Sequence, residues 1–295
     1  MNKSITKWSL LIGLSIIWGS SYILNKYALT GLSYTQIGIL RLLISAVFLW
    51  IIGFNSLKNI PLNKWKYIIY IALLGSFFQA FLYPLAMSGS NGTDGIDSSV
   101  ASILNSLTPL NTLVVGFLFY QFAYKKIQLL GVFIGLLGAL LLILHGTQFR
   151  PDQNYFYAIY IILSSIGIAF NVNILKKYLT DIPALSITTG VFTVLVIPSI
   201  ITLFYTGFLN HITWDEPTQK AIGYIVVLAV FGTGVAQIMY NRLAQMGSPV
   251  FTASVSYMIP IVAIFWGLVD GEKFSLVQVF AAVLILLGVY LVNRK

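Results

Sequence analysis

One stretch of this chain occurs twice, half a chain length apart, and that duplication limits what the chain can fold into. The first copy runs from Val100 through Pro109 to Gly138, the second from Phe251 through Pro260 to Gly288. Each opens on small and polar residues, Val100-Ala101-Ser102-Ile103-Leu104-Asn105-Ser106 against Phe251-Thr252-Ala253-Ser254-Val255-Ser256-Tyr257. A proline inside an apolar run follows, then a glycine seven residues later (Gly116, Gly267), a polar break and a closing apolar run. The prolines lie 151 residues apart and Gly138 and Gly288 lie 150 apart, so the copies keep register but for one slip. A repeat of half the length in a chain this apolar reads as a duplicated membrane unit.

Composition agrees. Of 295 residues 58% are hydrophobic and 8% charged, with a mean hydropathy of +0.89. Soluble domains carry roughly 25% charged residues, so a water-facing surface is lacking. One very large soluble core fails as an alternative, because single cores stop growing well before they bury this much. With no cysteine there is neither a disulfide nor a thiolate metal site. Met1–Lys7 is short and basic, and Trp8–Ala28 is too long for a removable signal, so it reads as the first span.

A membrane helix needs about 20 mostly apolar residues. Ten runs meet that, at 8–28, 34–54, 66–87, 98–119, 127–145, 155–175, 184–206, 221–241, 249–269 and 275–292. With the N-terminus inside, twelve of the seventeen lysines and arginines fall on the cytoplasmic side: Lys3, Lys7, Lys58, Lys64, Lys66, Lys125, Lys126, Lys176, Lys177, Arg242, Arg294 and Lys295. All the acids but Asp181 fall outside. By the positive-inside rule both termini are expected in the cytoplasm, and the net charge of +9 is a matter of topology, not a nucleic-acid surface.

Five spans per copy is an odd number, so the second copy must enter the membrane from the opposite side. The expected architecture is all-α, with ten spans in two inverted five-helix repeats, residues 1–148 and 149–295, fused into one membrane domain. Weaker echoes accompany it. Lys26-Tyr27 matches Lys177-Tyr178 at 151 residues, and Gly75 with Tyr83 matches Gly232 with Tyr240 at 157.

These residues resemble a known family. Trp18-Gly19-Ser20-Ser21-Tyr22, Lys26 in span 1, Arg41 in span 2 and the proline-centred repeat are similar to the EamA family of the drug/metabolite transporter superfamily. Pro260, Gly271-Glu272 and Gln278 fit the pattern in the second copy. The first copy departs, with Gln121 where the acid would be. The resemblance spans essentially the whole chain. It implies a ten-helix carrier of the bacterial inner (cell) membrane, an exporter of amino acids or related metabolites, one branch of the family exporting aromatic amino acids.

Polar side chains inside spans usually face the bundle interior or a wet cavity. Ser15, Trp18, Tyr22, Asn25 and Lys26 recur at helical spacing on span 1, and Arg41 sits near the outer end of span 2. Either they line a cavity, or they are interfacial aromatics and snorkelling cations. Ser98, Ser102, Asn105 and Thr112 form a stripe on span 4 that suits a cavity or a close helix seam. Gln79 and Tyr83, Gln237 and Tyr240, Asn171 and Asn173, and Ser256 and Tyr257 complete the polar set. Hydroxyls, amides and rings of this kind can hold a zwitterion and cover an apolar side chain. Pro109 and Pro260 each remove a backbone donor within a span, marking a hinge or a fixed kink.

No acid falls inside any of the ten runs. Since a buried carboxylate is the usual proton or sodium carrier, uniport or exchange is expected instead of carboxylate-based coupling. The only histidines, His145 and His211, lie at a span end and in a loop, and no HExxH, GxSxG or phosphate loop is present, so no enzyme is expected. The expected partners are a small-molecule substrate and membrane lipid, with no nucleic acid, cofactor or metal, and the chain is taken as a monomer. A passive channel-like or facilitated-diffusion pore is the competing reading, because a polar pathway also serves passive flow.

Overall fold

The computed structural model describes residues 3–28, 30–88, 104–146, 155–206, 214–259, 261–262 and 276–294. Pro260, Gly267, Gly271, Glu272, Ser98 and Ser102 lie outside the described residues, as do the side chains of Tyr22, Asn25, Lys26, Tyr83, His145 and Gln278. Among the described residues every regular element is helical.

Helix α1 spans Lys3–Ala28 and α2 spans Tyr34–Gly53. Helix α3, Trp65–Ala72, runs through a π-helical stretch at Leu73–Phe77 into α4, Phe78–Ser88. Helices α5 (Thr108–Tyr120), α6 (Lys126–Gly146), α7 (Ala158–Tyr178) and α8 (Ala184–Tyr205) follow. Helix α9, Glu216–Val227, passes through a second π-helical stretch at Leu228–Val235 into α10, Ala236–Met246. The described chain ends with α11, Pro249–Ala253, and α12, Leu276–Asn293.

Local chemistry sets many of the ends. Ser33 caps α2 through a capping box with Gln36, Asp215 caps α9 by accepting from Thr218 N, and Ser248 caps α11 with Pro249 behind it. Among the described residues, five helical segments are long and apolar enough to cross a membrane: Thr35–Asn59, Leu62–Leu82, Ala158–Tyr178, Ala184–Tyr205 and Glu216–Met246. Shorter apolar helices occupy Thr108–Tyr120, Lys126–Leu141, Pro249–Ile259 and Val279–Asn293. Large apolar side chains face outward on them, Ile51 at 78% exposure, Ile197 and Phe204 at 68%. An exterior like that is unstable in water and at home in lipid. Hydroxyls within the helices turn back on their own backbones, as Ser15 does to Leu11 O and Thr188 to Ala184 O (both 2.8 Å). The chain is an all-helical polytopic membrane protein.

Its helices pack mainly across the sequence midpoint. Helix α1 lies against α9 and α10, α2 against α8, and α7 against α3, α4 and α5. Helix α11 packs on α5, and α6 pairs with α12 along its length. The α6–α12 pair approaches backbone to backbone on glycine. A Cβ on Gly131 would meet Gly288 O at 2.8 Å, and one on Gly138 would meet Ala281 O at 2.9 Å. These two contacts exchange under a shift of 150 residues, Gly131 with Ala281 and Gly138 with Gly288.

One end of the bundle is tied together by basic residues. Lys7 donates to Asn293 Oδ1, Lys176 to Gln245 O and Lys177 to Tyr120 O, while Lys64 pairs with Asp181 at 3.3 Å. At the opposite end the turn after α1 meets the start of α9, where Thr218 Oγ1 donates to Gly31 O at 3.2 Å. Helices α2 and α9 therefore start at the same level and run in the same direction.

Candidate functional site

A π-helical stretch holds one residue more than an α-helix would, so its carbonyls are displaced and open to neighbours. Both stretches centre on the glycines paired in the sequence, Gly75 and Gly232. Trp18 of α1 donates its indole N–H to Gly232 O at 3.0 Å, and a Cβ on Gly232 would meet Ser21 Oγ at 2.9 Å. Asn171 of α7 donates to Ile71 O at 3.2 Å and fills the notch at Gly75, where a Cβ would collide with its amide. The neighbouring Gly167 lets Leu74 O approach α7. Each stretch is thus gripped by a helix from the other side of the sequence midpoint.

The second stretch gathers the most side chains. Arg41 of α2 donates from Nε and Nη2 to Thr233 Oγ1 at 3.3 and 3.0 Å. Ser45, one turn further along α2, donates to Ala229 O at 2.9 Å. Two turns beyond Thr233 on the same helix stands Tyr240, 5% exposed, its ring 5.5 Å from that of Trp18. Its hydroxyl has no partner among the described residues. Gln237, partly buried, lies between Thr233 and Tyr240 on that helix. Trp18 and Arg41 therefore meet at one polar layer, at Gly232 and Thr233, with Tyr240 against the Trp18 ring.

The remaining candidates lie elsewhere. Asn171 serves the first stretch, with partly buried Gln79 two residues beyond its end. Tyr257 is fully buried, packs on Gly135 and donates to Val132 O at 3.1 Å, which seals α6 against the α11 region. Ser256 Oγ donates to Ala253 O at 3.0 Å, and Asn105 lies within 3.4 Å of Thr108 Oγ1. Asn173 ties α7 to α5 through Thr112 O at 3.0 Å. Pro109 stands in the first turn of α5, just after a turn at Ser106-Leu107, where a missing N–H costs nothing. The span is divided there. Pro260 lies outside the described residues, as do the side chains of Tyr22, Lys26 and Tyr83. Thr233 and Ser45 were not singled out in the sequence, nor was Asn111, whose amide donates to Ser165 Oγ at 2.6 Å. The one sequence signal among them is the Gly-Thr-Gly run at 232–234, which holds Thr233.

Comparison with known proteins adds what geometry alone lacks. The chain is 27% identical over 305 residues to the uncharacterized inner membrane transporter YedA of Escherichia coli, covering 97% of this chain and 92% of that one. It is 25% identical to an uncharacterized transporter of Archaeoglobus fulgidus over 98% of this chain and 99% of that one. A solved crystal structure, 16% identical, shares the fold with a TM-score of 0.74 over 98% of this chain and 96% of its own. One family model, that of EamA-like transporters, matches twice, at residues 6–144 and 155–294. A chain fitted end to end by two copies of one model is placed by it: this protein belongs to the EamA-like transporter family.

Proposed function

We propose that the protein is a secondary transporter that exports amino acids or related small metabolites across the inner (cell) membrane by alternating access. In this reading it has ten spans in two inverted five-helix repeats, residues 1–148 and 149–295, with both termini cytoplasmic. Family membership already implies a membrane setting and a small-molecule cargo. The observation that carries the rest is the pair of π-helical stretches at matched positions, each held by a helix from the other half. Secondary transporters place their sites at the interface of such repeats, where irregular backbone can line a cavity without facing lipid.

Further observations support the reading. The α6–α12 contacts exchange under a 150-residue shift, as an internal two-fold relation requires. The basic end of the bundle gathers Lys7, Lys64, Lys176 and Lys177 near the C-terminal Asn293, as a cytoplasmic face would. Trp18 and Tyr240 offer rings and a hydroxyl beside Arg41, a set that suits a solute with an apolar part and a charged end. With no acid inside the ten runs, transport follows the solute gradient or exchanges one solute for another.

The test is efflux from proteoliposomes loaded with amino acids and small metabolites, read by mass spectrometry against protein-free vesicles. Saturable loss of a few compounds, faster with the same compound outside, is expected. Unsaturable loss of many compounds would point to a pore instead, and uphill movement driven by a pH gradient would overturn the coupling.

A further inference from the structure

We propose that Arg41 is the group that receives the solute's negative end, so that the transported molecules carry a carboxylate. This rests on the transport reading above and adds the substrate class to it. The argument begins with the direction of the side chain. Ser45, one turn beyond Arg41 on α2, is level with Ala229, to whose carbonyl it donates. Thr233 lies one turn past Ala229. The Arg41 guanidinium therefore reaches from a backbone one turn before that contact to a hydroxyl one turn after it. Because α2 and α9 start together at the Gly31–Thr218 end, this is away from the nearer surface and into the bundle. A snorkelling cation would extend the other way.

There it meets a neutral acceptor. Two of its donors share the single Thr233 oxygen, whereas a guanidinium presents five N–H groups in a fork suited to a carboxylate. The Gly232 carbonyl next in the chain is occupied by Trp18. Among the described residues the ion pairs are Lys64–Asp181 and Lys220–Glu216, and neither involves Arg41. A cation held at this depth by one hydroxyl is unfavourable unless an anion completes it. The planar fork of one guanidinium matches the two oxygens of a carboxylate. The neighbouring Trp18–Tyr240 ring pair is placed to cover the apolar remainder.

The experiment uses the full chain in proteoliposomes with matched solutes: L-leucine and L-phenylalanine, their N-acetyl derivatives, their primary amides, and phenyl phosphate. The wild type is expected to move the carboxylates at least about tenfold faster than the amides, the scale of one charge-assisted bidentate contact. Arg41→Gln should bring that ratio close to one. Arg41→Lys, which keeps the charge but not the fork, should keep the preference while raising KM about tenfold. Thermal stabilisation of the detergent-purified protein by the same solutes gives a second readout, expected in the wild type for carboxylates alone. Amides moving as fast as carboxylates, or an unchanged ratio in Arg41→Gln, overturns the assignment while leaving a transporter. Faster movement of phenyl phosphate than of the carboxylates replaces the class. No movement of any solute, with carboxylate stabilisation lost in Arg41→Gln, sinks the transport reading for this panel and keeps the site. No movement and no stabilisation sinks both. Should Arg41→Gln fail to fold, an unaltered KM in Arg41→Lys overturns the proposal.

Discussion

The buried hydroxyl of Tyr240, without a partner among the described residues, works against folding by about 1–3 kcal/mol. Tyr240→Phe is therefore expected to raise stability by about 1 kcal/mol, read as a higher Tm in detergent, while slowing efflux if that hydroxyl serves the solute. A drop in Tm would show that the hydroxyl is bonded after all. Trp18→Phe should act in the opposite sense. It keeps a ring near Tyr240 but leaves the Gly232 carbonyl unpaired, a loss of about 1 kcal/mol measurable in the same melt. Trp18, Arg41 and Tyr240 could be picked out in the sequence because amphipathic and charged side chains stand out in apolar runs. Thr233 and Ser45 could not. A lone hydroxyl within a membrane helix usually bonds its own preceding turn, as Ser15 and Thr112 do, and nothing local separates those from the two that reach or receive another helix. Tyr257 has the residue type of a binding group, yet it is a packing element, because Gly135 opposite it leaves room for its ring.

At the scale of elements, most helices were legible from hydropathy, but their caps at Ser33, Asp215 and Ser248 appear only in the structure. The two π-helical stretches were not legible either. An inserted residue changes neither composition nor the apolar character of the run, only the phase of its faces, and that phase is fixed by what docks against it. Gly75 shows the dependence. Its missing side chain is the space that the Asn171 amide occupies. Gly75→Ala is expected to cost about 1–3 kcal/mol as overpacking, and Asn171→Ala about 1 kcal/mol for the lost bond to Ile71 O. The double variant should lose less than the sum, with a coupling above about 1 kcal/mol, because removing the amide vacates the position the new methyl needs. Additive losses from chemical denaturation would mean that α7 and the α3–α4 helix do not meet there. Span 4 also departs from its hydropathy reading. From sequence, Pro109 reads as a proline within a helix; in the structure the turn at Ser106-Leu107 puts it in a first helical turn.

At the scale of the whole molecule, the sequence reads as two units in series, but the way the helices interlock is not legible in it, since hydropathy says nothing about which helix a face will meet. The main helix pairs join opposite sides of the midpoint: α1 with α9 and α10, α2 with α8, α6 with α12, α7 with α3 to α5. A half standing alone would expose the Gly75 notch without Asn171, or Thr233 without Arg41, together with the glycine face of α6 or α12. In lipid such faces gain little from burial as such and depend on close backbone approach and interhelical bonds. The expectation follows that residues 1–148 and 149–295, expressed separately, are degraded or aggregate, whereas the two co-expressed halves co-purify through a tag on one of them. Gly288→Val should weaken that capture, because its side chain would enter the Gly135 backbone at the α6–α12 crossing. Two halves that each accumulate as folded, monodisperse species would mean that the repeats are autonomous and the crossing contacts secondary. Capture that restores efflux would tie the interlock to transport, since the layer at Gly232 and Thr233 is assembled only when α1 and α2 of one half reach the π-helical stretch of the other.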